Sequence, residues 1–340
     1  MALCWAGPAS AQVPQVTERV EVSRVVVDVH VLNDDGSPVT GLTTADLRVL
    51  VNGRPVKVES VRWTTEAVAL RETLATQPPA AVTAGAQAQL PRGRQIVLFF
   101  QKDLEPSRVE GLMTMLRRAE DLLDGLEPDD RVAVASFHYH LELWSDFTKD
   151  RDAVRAVLKR SILFAGHPPE AIPGDGPALM PAFDRAEGRR ASSMEQALVP
   201  LGKALDGMPG TKAMVIFGHG FGRIVGGSDL RSMAVGLDPE YADARRVLAR
   251  ARVTVYCLDL TRADSHTLEA GLMKIAEDTG GFYLRTHAFP GQAMSRLGAA
   301  LGGHYEVSFD KPDLPRGEHA IRVELISRKG VVLSRRTYVG

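Results

Sequence analysis

Two continuous apolar runs constrain this chain more than any other feature. Ile96-Val97-Leu98-Phe99-Phe100 leads into Gln101-Lys102-Asp103-Leu104-Glu105, and Ala213-Met214-Val215-Ile216-Phe217 leads into Gly218-His219-Gly220-Phe221-Gly222. Unbroken apolar runs of this length, bounded by polar or glycine breaks, suit strands buried on both faces of a parallel sheet. In open α/β sheets a ligand lies just beyond the carboxyl ends of such strands. The residues after Phe100 and Phe217 are therefore where function is to be sought.

Around these runs, strand and helix patterns alternate. Val109, Leu112, Met113, Leu116, Leu122 and Leu123 share a helical face after Pro106, a residue favoured in a first turn. Arg131–Phe137 reads as the next strand, with Leu141–Trp144 as a short hairpin partner. Thr148 is placed to cap a helix carrying Val154, Val157, Leu158 and Ile162. Ser192 with Glu195 makes a capping-box pattern ahead of Met194, Ala197, Leu198, Leu201 and Leu205. Further helices are expected after Asp238-Pro239, after Ser265 and from Pro290, with strands at Val253–Leu258 and Phe282–Leu284 between them. Such alternation predicts a doubly wound α/β fold with a mostly parallel sheet.

Both ends of the chain read as β. Val25, Val27, Val29 and Val31 alternate with Val26, Asp28 and His30, the period-two signal of a half-buried strand. Leu47, Val49 and Val51 alternate up to Asn52-Gly53, a tight-hairpin signal because both residues tolerate positive φ. Tyr305, Val307 and Phe309 alternate near the other end, as do Ile321, Val323 and Leu325. The expected organisation is a β region at 18–65, a linker at 66–92 rich in Ala, Thr, Gln and Pro, an α/β domain at 93–303 and β-strands at 304–340. Each β segment is small for an independent domain. They are expected to pack together or against the core as a small β-rich region.

The chain has 340 residues, 41 of them basic against 42 acidic. That balance gives no reason to propose nucleic acid or an anionic membrane as partner. No apolar stretch approaches the roughly 20 residues that span a bilayer. Residues 1–11 end in Ala9-Ser10-Ala11, a small-residue pattern that reads as the remnant of a secretory signal and predicts an exported, periplasmic or envelope protein. Cleavage after Ala11 would leave Cys257 alone, inside an apolar strand, where core packing is expected.

At this point the sequence resembles a von Willebrand factor type A domain, and more closely the bacterial VWFA-related family first recognised in Acidobacteria. The resemblance rests on Val27–Val31 followed by Gly36-Ser37-Pro38-Val39-Thr40-Gly41-Leu42-Thr43, on Ile96–Phe100, on Asp129-Asp130-Arg131-Val132-Ala133-Val134, on Asp146-Phe147-Thr148 and on Ala276-Glu277-Asp278-Thr279-Gly280-Gly281. Type A domains typically hold Mg²⁺ through an Asp-x-Ser-x-Ser loop, a Thr on a second loop and an Asp after a later strand. The resemblance places Gln101 at the first aspartate position and Asp103 and Glu105 at the serine positions. Ser192 or Ser193 stands for the threonine, and His219 for the later aspartate. A neutral amide and an imidazole are poor substitutes for two carboxylates around a small hard cation. A degenerate metal site is expected, with no cofactor.

Other chemistries fit less well. Gly218–Gly222 lacks the G-x-G-x-x-G spacing, and no Gly-Lys-Ser/Thr follows a strand. His138 and His140 share a strand face without an evident third ligand. No G-x-S-x-G or H-E-x-x-H occurs. Two long irregular segments, Phe164–Ala191 with five prolines and His219–Leu237 with five glycines, border the ligand edge in the expected topology. The sequence thus points to a non-enzymatic protein that binds a protein or envelope partner through these loops, with Phe164, Met180, Phe183 and Phe221 as anchors. The alternative is a metal-dependent enzyme or switch using Asp103, Glu105 and His219.

Overall fold

The computed structural model describes residues 24–64, 93–102, 105–160, 162, 171–210, 212–226 and 233–339. The expected signal remnant, the linker, Asp103 and Phe164 lie outside the described residues.

The chain enters through four strands, β1 (Arg24–Leu32), β2 (Leu47–Val51), β3 (Arg54–Val56) and β4 (Val58–Thr64). Asn52 (φ 48°) and Gly53 (φ 77°) turn β2 into β3 as the hairpin signal predicted. The α/β unit follows as β5 (Gln95–Gln101), α1 (Pro106–Asp124), β6 (Arg131–Phe137), β7 (Leu141–Thr148) and α2 (Arg151–Arg160). Then come α3 (Leu179–Ala182), α4 (Arg185–Arg190), α5 (Met194–Asp206), β8 (Lys212–Gly218), β9 (Arg223–Gly226) and β10 (Met233–Gly236). The unit closes with α6 (Tyr241–Arg250), β11 (Val253–Asp259), α7 (Glu269–Thr279), β12 (Tyr283–Arg285) and α8 (Pro290–Leu301). The last strands are β13 (His304–Asp310), β14 (Glu318–Leu325), β15 (Val331–Ser334) and β16 (Thr337–Val339).

The central sheet runs β12-β11-β8-β5-β6-β7, parallel throughout except for β7, which pairs antiparallel with β6. Every residue of β5 is buried. One face is covered by α1, α2 and α8, whose Leu112, Leu158 and Leu297 pack with Ile96, Leu98 and Phe100. The other is covered by α5, α6 and α7, whose Leu198, Leu248 and Leu272 pack with Val97, Phe99 and Ile216. This is the doubly wound mixed α/β fold that the type A resemblance implied. Cys257 is fully buried in this core, and burial pushes its thiol pKa well above the ordinary value.

The two chain ends form one β-sandwich. Strands β15-β1-β13-β4 make one sheet and β16-β14-β2-β3 the other, all paired antiparallel. Val27, Val29, Val49, Val51, Val307, Phe309, Ile321 and Val323 interdigitate between them. The expected alternation in β1 is half right. Val27, Val29 and Val31 face the sandwich core, but the opposite side is not left to solvent. His30 is 7% exposed and accepts or donates a hydrogen bond at Tyr256 Oη (3.2 Å), and Asp28 meets Arg252, so this side docks onto the α/β unit.

Two caps differ from the sequence reading. Asp150, not Thr148, receives the free amides of Asp152 and Ala153 at the start of α2 (3.0 and 2.9 Å). Ser193, not Ser192, caps α5 by accepting from Gln196 N (3.2 Å), while the Gln196 side chain returns to Ser192 N (2.9 Å). The cap is shifted by one residue, and the returning Gln196 side chain reaches the amide of the residue before the cap, a variant of the capping box.

Candidate functional site

Strands β5 and β8 lie side by side and parallel, and Phe100 opposite Phe217 stacks ring on ring (4.6 Å, 7°) beneath their carboxyl ends. From that edge β5 feeds α1 on one face, while the later elements following β8 cover the other. Their junction is the switch point at which an open α/β sheet presents its crevice.

Gln101 stands in that crevice and spans it. Its Nε2 donates to the Gly220 carbonyl (2.7 Å), and its Oε1 accepts from His219 N (3.0 Å). Only a side chain with both a donor and an acceptor makes this two-way contact; a carboxylate has no donor for Gly220. Gly218 is required by the same contact, because a Cβ there would lie 2.7 Å from Gln101 Oε1. Gly220 (φ 106°) completes the bend, and a Cβ on it would meet Leu268 at 2.6 Å. The glycine pattern is a sharp turn laid against the entry to α7, with no helix opening after it.

The other nominated positions that the structure describes have local roles or are buried. Glu105 is exposed at the start of α1 and pairs with Arg108 (3.1 Å). The Ser193 hydroxyl is spent as a cap. His219 is only 7% exposed. Of the proposed anchors, Met180 is half-buried, whereas Phe183 and Phe221 are buried at 7% and 4% exposure. Phe183 packs against Gly188, and Phe221 against Gly271. These two phenylalanines are core residues, and the sequence reading of them as contact anchors is corrected: each fixes its own loop to the domain.

The described parts of the two long segments carry regular structure. Asp146 holds the start of α3 by accepting from Leu179 N (2.7 Å) and Met180 N (2.9 Å). Within His219–Leu237, β9 and β10 form an antiparallel hairpin. Among the described residues, the β6–β7 turn is exposed at this edge: Tyr139 is 72% exposed, with the His138 ring 3.9 Å from its own. Lys102 lies 5.5 Å above the Trp144 ring in the same region.

One polar constellation at the carboxyl edge escaped the sequence reading. Asp259, the last residue of β11, is buried, and its Oδ2 meets His266 Nε2 (2.7 Å) and Tyr283 Oη (2.6 Å). Tyr283 Oη also lies 2.9 Å from Glu269 Oε2, which accepts from Arg285 Nε and Nη2 (3.0 and 2.8 Å). The acid ending the Val253–Leu258 strand was the available signal. Its partners come from a loop, a helix start and the neighbouring strand, so no local motif gathers them.

No family model matches the chain, and no curated protein matches it. Among solved structures, the chain is similar to the von Willebrand factor type A protein of Catenulispora acidiphila, at 11% identity over 73% of this chain and 65% of that one, with a TM-score of 0.42. It is also similar to BatB from Bacteroides thetaiotaomicron, at 15% identity over 61% of this chain and 97% of that one (TM-score 0.39). A third likeness is to the manganese-loaded TRAP protein of Plasmodium vivax, at 11% identity over 73% and 94% (TM-score 0.40). The chain thus spans less than two thirds of the first of these structures. The α/β unit has a von Willebrand factor type A-like fold, a statement that rests on its own strand order and switch point.

Proposed function

We propose that this is an exported, non-enzymatic type A-domain protein that binds a protein or envelope partner at the carboxyl edge of its sheet, without Mg²⁺ at the switch point. The observation that carries the reading is Gln101. Its amide holds both Gly220 and His219, so the atoms facing the crevice are already engaged in tying β5 to the turn after β8. An adhesion-type cation there would have to displace two buried hydrogen bonds and would gain no carboxylate from Gln101 or His219. Glu105, the described acid nearest in sequence, sits on Arg108. Export rests on the Ala9-Ser10-Ala11 pattern. No helix among the described residues is long and apolar enough to cross a membrane.

Partner recognition is supported by Tyr139, exposed on the β6–β7 turn at this edge. Thermal melting in chelator and in millimolar Mg²⁺ tests the metal-free crevice, since a ligand bound only by the native state raises the midpoint. The two curves are expected to superimpose. A rise in Mg²⁺ that Gln101→Ala removes would overturn the reading. Affinity capture from a native envelope extract, with Tyr139→Ala as the comparison bait, identifies the partner.

A further inference from the structure

The carboxyl edge carries a second arrangement, one strand away from the switch point. Asp259, His266 and Glu269 each present a ligand atom, and the three atoms lie within 4.8 Å of one another. They belong to one short stretch of chain. Asp259 ends β11, His266 sits in the following loop and Glu269 opens α7, one helical turn after His266. Asp259 is held from behind, as its Oδ1 accepts from Thr261 N (2.9 Å) and its backbone carbonyl accepts from Thr286 N (3.1 Å) and Oγ1 (2.6 Å). That leaves Oδ2 directed at His266 and Tyr283.

Within the protein alone, this arrangement leaves one close oxygen–oxygen contact without a proton. Tyr283 has one hydroxyl proton but stands 2.6 Å from an Asp259 oxygen and 2.9 Å from a Glu269 oxygen, so only one of the two can receive it. The guanidinium of Arg285 lies on the Glu269 side, and the Asp259 side has the His266 imidazole. On the same loop the Thr261 hydroxyl is buried without a hydrogen-bond partner. The other mixed His–carboxylate group among the described residues, Asp28–His304–Glu306, differs in this respect. There Arg252 Nη2 already bridges both acids (2.5 and 3.2 Å).

We propose that Asp259, His266 and Glu269 form a binding site for a divalent transition-metal ion of the zinc class, with Tyr283 beside it. One imidazole and two carboxylates suit such borderline ions, whereas Mg²⁺ prefers oxygen ligands alone in octahedral order. Ligand atoms around a tetrahedral zinc at about 2.0–2.2 Å stand roughly 3.3–3.5 Å apart. Reaching that spacing takes a small opening of the Asp259–His266 contact and inward movement of Glu269, whose side chain is 16% exposed. His266 is 18% exposed, so an ion can approach from solvent. The site lies beside the crevice held shut by Gln101, and it would make partner binding at this edge depend on a transition metal, not on Mg²⁺. That consequence rests on the proposed function; the metal site does not.

Calorimetric titration of the full chain with Zn²⁺, alongside absorption spectroscopy with Co²⁺, tests it. One equivalent is expected to bind with a micromolar Kd, and Co²⁺ should show the visible bands of a low-coordinate nitrogen–oxygen site. His266→Ala is expected to weaken binding by about 30-fold or more and Glu269→Gln by about 10-fold, as loss of a direct ligand requires. His140→Ala, on the exposed rim, should leave it unchanged. Circular dichroism melting confirms that each variant is folded. Absence of Zn²⁺ binding in the wild type, or equal binding by wild type, His266→Ala and Glu269→Gln, would overturn the proposal. A Mg²⁺-dependent melting shift would overturn the function reading and leave this site standing.

Discussion

Arg252 Nη2 lies 2.5 Å from Asp28 Oδ1, and this pair ties the start of β11 to the middle of β1 across the seam between the α/β unit and the sandwich. Arg252 adopts φ 53°, a left-handed conformation uncommon outside glycine, and the same nitrogen reaches Glu306 on β13 at 3.2 Å. Burial alone would raise the Asp28 pKa, but the His304 imidazole 3.5 Å away and the Arg252 guanidinium outweigh it and hold the carboxyl well below its ordinary value. Asp28 is therefore charged in the folded protein and depends on its partners.

Removing the guanidinium should be costly for that reason. Arg252→Met is expected to lower stability by about 2–3 kcal/mol, less than the roughly 3–5 for a wholly buried pair because Arg252 is partly solvated. Urea denaturation measures it. Adding Asp28→Asn should recover part of the loss, since no uncompensated carboxylate then remains. If the double variant is weaker than the sum of the singles, the pair is not what holds the seam.

His30 makes the same seam sensitive to acid. Burial, then the neighbouring His304 charge, lowers its pKa to about 3, although Asp28 pulls the other way. Its Nε2 meets Tyr256 Oη (3.2 Å), and its ring lies 5.5 Å from that of His304. The unfolded chain takes up a proton near the ordinary value of about 6.5, while the folded chain resists until about 3. The stabilisation is thus complete above pH 6.5 and lost as pH falls from there towards 3. Each unit in that window removes about 1.4 kcal/mol for this one group. Denaturation free energies at pH 7.5, 6.0 and 5.0 should show this slope in the wild type and a shallower one in His30→Gln. Parallel profiles would assign the acid sensitivity elsewhere.

Buried and exposed aromatics at the ligand edge should separate cleanly. Phe221→Ala removes a core side chain seated against Gly271 and is expected to cost about 3–5 kcal/mol in denaturant unfolding. Tyr139→Ala should leave stability within about 0.5 kcal/mol, as a 72% exposed turn residue allows. Any loss of partner binding in Tyr139→Ala then reports contact and not folding. A comparable loss of stability in both variants would contradict the rim assignment.

Period and length in the sequence carried the architecture. The unbroken run Ile96–Phe100 became a strand buried on both faces, and Asn52-Gly53 became the hairpin its backbone freedom allows. What escaped was whatever depends on a second element. Asp28 and His30 read as a solvent face because alternation says which residues share a side, not what covers it. Gly218 is glycine because the Gln101 amide passes close to it, a constraint visible only once β5 and β8 are neighbours. The Asp259 constellation draws on residues 259, 266, 269, 283 and 285, spread over two strands, a loop and a helix start. No spacing rule joins such a set.

The β-sandwich gives the last test, because its two sheets are each completed from both ends of the chain. β13 stands between β1 and β4, and β14 between β2 and β16, so these two C-terminal strands are internal to their sheets. Tyr305 adds a tie of its own: its hydroxyl donates to the Val39 carbonyl (2.9 Å) and accepts from Leu42 N (3.1 Å), fixing the segment between β1 and β2. Deleting 305–340 would uncover Val27, Val29, Val49 and Val51, at about 1.5–3 kcal/mol for each large apolar side chain returned to water, and would strip β1 of both neighbours, β4 of β13 and β2 of β14. The shortened chain is expected to be insoluble or rapidly cut by protease. A soluble, cooperatively melting 1–304 fragment would show that the α/β unit and the N-terminal strands fold without the C-terminal strands.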